Sequence, residues 1–92
     1  MTAGAEPPHL DNRHRDTLRQ IFAHPLSHNI EWRAVRSLLE AVGTVTARHD
    51  GKVAIDVGSV QEVLEPPAGK DIDERTVLEL RRMLSLAGYT PS

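Results

Sequence analysis

Ninety-two residues with a formal net charge of −2, 39% hydrophobic and 26% charged, describe one small folded domain with a modest core. Such a near-neutral balance excludes nucleic-acid binding driven by the field of the whole molecule, so any such contact has to come from a local patch. The absence of cysteine excludes disulfides, thiol catalysis and thiolate metal sites and suits the reducing cytosol; with no apolar run of signal or membrane length, the chain is expected to be cytoplasmic.

Met1 to Leu10 contains Gly4, Pro7 and Pro8 and has no periodicity, so residues 1–10 are expected to form a disordered tail and residues 11–92 the single domain. Asp11 offers an N-cap, and Leu18, Ile21 and Phe22 share a helical face before Pro25 stops the helix. Arg13, Arg15 and Arg19 line the solvated side. After a connector at Leu26 to Ile30, in which Ser27 and Asn29 are both candidate caps, Trp32, Val35, Leu38, Leu39 and Val42 recur as an amphipathic stripe. Trp32 reads as a core anchor, Arg33 and Arg36 lie off the stripe, and Gly43 ends the helix as a left-handed residue.

Thr44 to Ala47 and Lys52 to Val57 alternate apolar and polar residues around His49-Asp50-Gly51, the pattern of a β-hairpin. A two-residue Asp50-Gly51 turn would place Val53 and Ile55 on the same face as Thr46 and Arg48. A three-residue His49-Asp50-Gly51 loop aligns Val45 and Ala47 with Ile55 and Val53, and is preferred because a one-residue slip exchanges buried and solvated faces. Gly51 is then the left-handed residue that closes a type I turn with a bulge. Arg48 and Lys52 become cross-strand neighbours on the open face, a like-charge pair that favours an anion. A Gly58-Ser59 turn leads into Val60 to Leu64, sending Val60, Glu62 and Leu64 to the core face, with Glu62 acceptable only at the rim.

Glu65-Pro66-Pro67-Ala68-Gly69-Lys70 cannot continue the strand, since neither proline donates to a ladder. Asp71 and Glu74 have the spacing of a capping box, with Asp73 an alternative cap. Val77, Leu80, Leu84 and Ala87 mark the buried side of the last helix, Leu78 and Met83 widen it, Arg75, Arg81 and Arg82 face outward, and Gly88 closes it. The expected class is α+β: a two-layer domain of order α-α-β-β-β-α, with helices on one face of a three-stranded antiparallel sheet.

Catalytic chemistry is sparse. His24 and His28 are separated by Pro25 and cannot share a helical face as metal ligands, so no metal site is expected. Asp71, Asp73 and Glu74 are accounted for by helix capping. No phosphate loop or nucleophile elbow is present, and no cofactor is implied. His49, between Arg48 and Asp50 at the hairpin tip, reads first as an exposed turn residue and is the one titratable group in a suggestive place.

Trp32 to Gly43, the short hairpin, the loop ending Gly69-Lys70-Asp71-Ile72-Asp73 and Val77 to Gly88 resemble the HicA family of toxin-antitoxin mRNA interferases. Leu18 through Pro25 and Asn29 to Trp32 resemble the additional N-terminal helix of one HicA-like branch. The resemblance implies a fold like that of a double-stranded RNA-binding domain, with RNA and an antitoxin-like protein as partners. Family members carry a Gly-Ser-His motif at the start of the second strand, whose histidine transfers a proton in RNA cleavage. Here Gly51-Lys52-Val53 stands in its place, and valine cannot transfer a proton. The longer branch also carries histidines in the proline-containing loop, where this chain has Leu64-Glu65-Pro66-Pro67-Ala68. Losing a positioned general base costs about two to four orders of magnitude in rate. The expectation is therefore an RNA-binding domain using Arg48, Lys52, Lys70 and Arg75, with weak or no cleavage. The alternatives are a module that binds an antitoxin-like protein, or an interferase that uses His49.

Overall fold

A computed structural model describes residues 10–91; the tail expected over residues 1–10 lies outside the described residues except for Leu10. Three helices, α1 (Asn12–Ile21), α2 (Trp32–Val42) and α3 (Glu74–Leu86), accompany three strands, β1 (Thr44–Ala47), β2 (Val53–Val57) and β3 (Val60–Leu64), in the order α-α-β-β-β-α. The strands form one antiparallel sheet with β2 in the centre. Helices α2 and α3 pack on the sheet, α2 over β1 and β2 and α3 over β3, while α1 packs against α2 and α3. The fold is α+β with its helices gathered on one sheet face.

Register follows the alternation. Val45 pairs with Ile55 and Ala47 with Val53, the Arg48 N–H donates to the Lys52 carbonyl at 2.9 Å, and Gly51 has φ +86°; these are the marks of the three-residue loop with a glycine bulge. On the other side of β2, Val57 pairs with Val60, Ile55 with Glu62 and Val53 with Leu64. Val53, Ile55, Val57 and Leu64 are buried with the apolar stripes of the helices. Glu62 does fall on the core face, but β3 is an edge strand, and from there its carboxylate reaches Arg82 of α3 at 3.7 Å.

Several local expectations are corrected by long-range contacts. Leu10 belongs to the core at 9% exposure, so the packed region includes the residue before Asp11. Neither Ser27 nor Asn29 caps α2. Its N-cap is Glu31, which makes no side-chain capping bond; the Trp32 N–H is satisfied by the Lys70 carbonyl at 2.8 Å, and the Ile72 N–H returns to the Ile30 carbonyl at 2.9 Å. Two loops zipped by main-chain bonds thus replace a side-chain cap. Gly43 is extended (φ −167°, ψ −144°) and not left-handed. Glycine is needed there because a Cβ would lie 2.0 Å from the Asp56 carbonyl oxygen. Gly88, by contrast, is left-handed at φ +91°, and the Tyr89 and Gly88 N–H groups return to the Leu84 and Ser85 carbonyls at 2.8 and 3.1 Å, a Schellman closure.

At the start of α3, Asp73 is the cap, accepting from the Thr76 N–H at 2.9 Å, while Asp71 belongs to the bridge with Glu31. Met83 is core at 1% exposure, but Leu78 is 49% exposed and does not widen the buried face. Arg81 does not face outward. Its Nε donates to the Ile21 carbonyl at 2.6 Å and its Nη2 to the Ala23 carbonyl, placing a cation at the C-terminus of α1, where unpaired carbonyls and the helix dipole favour one.

Candidate functional site

The unroofed sheet face is built from the residues that alternate with the core set: Thr44 and Thr46 of β1, Ala54 and Asp56 of β2, and Gln61 and Val63 of β3. Its side chains are small or uncharged except for the Asp56 carboxylate on the central strand. Beyond one end, the hairpin loop places Arg48 opposite Lys52, on the same side by the same alternation. Asp50 shapes this tip. Its Oδ1 accepts from the Lys52 N–H at 3.1 Å, and its Oδ2 lies 3.4 Å from Arg48 Nη2. The Lys52 N–H, with the Arg48 and Lys52 charges in support, holds the Asp50 carboxyl below the ordinary aspartate value.

A groove of about 560 Å³ continues from Lys52 past the proline loop to the first turns of α3. Lys52, Glu65, Asp71, Asp73, Arg75 and Glu79 contribute its charged side chains, so carboxylates outnumber cations within it. Asp71 Oδ1 is a buried oxygen with no hydrogen-bond partner among the described residues. Asp73 is held below its ordinary value by the Thr76 N–H it caps. The structure therefore brings Lys52 and Arg75 to one groove and sets Arg48 across the hairpin from Lys52. Lys70 stands apart, its Nζ 4.0 Å from Glu31. Arg75 is 3.8 Å from Glu79 of its own helix. Arg48, Lys70 and Arg75 each have a carboxylate at hand, which dilutes the positive patch expected from the residue types alone. His49 is exposed at the hairpin tip, outside the groove.

A second constellation joins α1 to α2. His14 Nε2 and Ser37 Oγ share a hydrogen bond of 2.8 Å, and His14 Nδ1 lies 3.4 Å from Asp11 Oδ1. A hollow of about 290 Å³ beside them is lined by Arg13, Thr17, Glu31 and Arg33 among others. The order of carboxylate, imidazole and hydroxyl matches that of a nucleophilic relay. However, Asp11 Oδ1 already accepts the His14 N–H as the cap of α1, and Ser37 sits inside α2, where the backbone N–H groups are spent on the helix and cannot stabilise an oxyanion. The group acts as a polar joint. Asp11 and His14 are visible in the sequence as a capped first turn, but Ser37 is 23 residues away and has no local signal.

Among the described residues, no cluster of histidine, aspartate and glutamate is arranged to hold a metal ion, and no helix is long and apolar enough to cross a membrane. The chain matches no protein-family model, and comparisons with curated proteins and with solved structures return no significant match.

Proposed function

We propose that this domain contacts RNA as a HicA-like protein of toxin-antitoxin type, without efficient cleavage. The observation that carries the reading is the cross-strand pair of Arg48 and Lys52 beside a sheet face that no helix among the described residues covers. Arg75 adds a second cation to the groove that Lys52 enters, among the carboxylates of Glu65, Asp71, Asp73 and Glu79, and Lys70 lies at the end of the proline loop, beside Glu31. Phosphate contacts of this kind give weak, sequence-tolerant, salt-steep binding, as expected for recognition of RNA by shape and backbone. Cleavage is disfavoured because Val53 occupies the position at which the resembled family carries its histidine, and Val53 is buried in the core. Fluorescence anisotropy with a labelled RNA hairpin tests the assignment: Arg48→Ala combined with Lys52→Ala lowers affinity and reduces the salt slope by about one for each phosphate no longer neutralised. Unchanged affinity removes these residues from the interface.

A second reading, docking of an antitoxin-like protein, is favoured by the carboxylates beside Arg48, Lys70 and Arg75 and by two sheet edges, β1 and β3, that no further strand pairs among the described residues. An extended segment of a partner could add to either edge. Co-expression with a candidate antitoxin separates the readings: a complex of fixed stoichiometry that forms without RNA supports docking, and growth arrest abolished by His49→Ala would instead establish an active interferase.

A further inference from the structure

Among the described residues, the outer face of α3 is the helix surface that holds large apolar side chains in solvent. Leu78 and Leu86 are 49% and 64% exposed, and with Glu74 and Arg82 they form a single ridge at four-residue spacing, Glu74-Leu78-Arg82-Leu86. A shallow trough of about 720 Å³ follows this face between Glu74, Arg75, Leu78, Glu79 and Arg82. The buried stripe of Val77, Leu80, Met83 and Leu84 lies on the opposite side of the helix, so the ridge contributes nothing to the core.

Its charge order is self-complementary about Leu78. Two copies of α3 laid antiparallel across a two-fold axis at Leu78 bring Leu78 against Leu78 and set each Glu74 opposite the other copy's Arg82, four residues on either side of the centre. A two-fold interface demands this pattern, since each surface must fit itself. Arg82 is available to serve it: its side chain is 72% exposed and its contact with Glu62 is a loose 3.7 Å.

We infer that the outer face of α3 pairs with the same face of a second copy of this chain, forming an antiparallel, two-fold dimer centred on Leu78. Centred on Leu78, the two helices overlap from Glu74 to Arg82, about 14 Å, with Leu86 beyond the overlap, so the contact is small and the dimer reversible, at the weak end of specific interfaces. This pairing leaves the open sheet face untouched and gives the dimer two of them. It is independent of what that face binds.

Sedimentation equilibrium of the whole chain over a concentration series tests the inference. Wild-type protein is expected to show a reversible monomer–dimer equilibrium. Glu74→Arg and Arg82→Glu should each raise the dimer dissociation constant at least about tenfold, because each sets like charges opposite each other twice. An equimolar mixture of these two variants should restore association, since every cross-pair is then opposite in charge. Leu78→Asp should abolish it, with circular dichroism unchanged because Leu78 lies outside the core. A wild-type chain that stays monomeric at millimolar concentration, or a mixture no more associated than its components, overturns the inference.

Discussion

The two faces of the sheet use the same strands for opposite purposes. One carries Val53, Ile55, Val57 and Leu64, all buried beneath α2 and α3. The other carries Thr44, Thr46, Ala54, Asp56, Gln61 and Val63, with the Arg48–Lys52 pair beyond one end. The covered face is set by volume, since its side chains fill the space between sheet and helices; the open face has no helix to fit among the described residues, and its residues are free of that constraint. Alternation in the strand therefore separates packed from unpacked positions residue by residue, and substitutions one position apart should differ sharply in their effect on stability.

The largest expected effect is at the centre of the covered face. Ile55→Ala should lower unfolding stability by about 2–5 kcal/mol through reduced burial and the cavity left behind, measured by urea denaturation, whereas its neighbour Ala54→Ser on the open side should stay within about 0.5 kcal/mol of wild type. Gly43→Ala, where β1 leaves α2, should cost about 1–3 kcal/mol or more, because its Cβ would collide with the Asp56 carbonyl at 2.0 Å. Gly69→Ala, whose added methyl meets nothing within 4 Å and whose backbone is not left-handed, is the matched control and should be near neutral. Arg81→Met keeps the stem but strips the Ile21 and Ala23 carbonyls of their donor; a loss of about 1–3 kcal/mol is expected, with faster amide exchange in the last turn of α1.

On the open side the effects on stability should be small and those on binding large. Arg48→Ala with Lys52→Ala should leave the denaturation midpoint almost unchanged while lowering RNA affinity, the reverse of Ile55→Ala. The smallest effect is the acid response. Asp11, Asp50 and Asp73 are each held below the ordinary aspartate value, in every case chiefly by a backbone N–H donated to the carboxylate. A carboxyl whose folded value lies below its unfolded one contributes stability that is present above the unfolded value and is lost as pH falls through the folded one. Stability should therefore decline gently below about pH 4, and the triple change to Asn, which accepts the same bonds without titrating, should flatten that decline in thermal melts followed from about pH 5 to about pH 2.

What was legible in the chain was whatever is decided within a few residues. Hairpin register, the bulge at Gly51, the stripe of α2, the stripe of α3 apart from the exposed Leu78, and the fold class all follow from alternation, helical spacing and turn chemistry, and the structure has them so. Even the awkward Glu62 was legible as a rim residue, because a carboxylate on the core side of a strand can survive only at an edge. The candidate cations were legible by type but not by environment. Arg48 and Lys52 are paired by the loop length, yet the carboxylates beside Arg48, Lys70 and Arg75, and the acidic lining of the groove, depend on which loops meet.

Tertiary structure alone decided the rest. Arg81 caps a helix about sixty residues earlier in the chain, Ser37 joins His14 across two helices, and the main chain near Lys70 closes the first turn of α2 in place of Ser27 or Asn29. Gly43 is required by a strand carbonyl rather than by its own helix, and Leu10 enters a core it shows no periodicity for. Local patterning determines which segments become helix or strand and which side of each is apolar, because those preferences arise from near neighbours. Which polar groups find partners is settled only when distant segments pack, since an unpaired carbonyl or charge takes whatever donor the fold brings within reach.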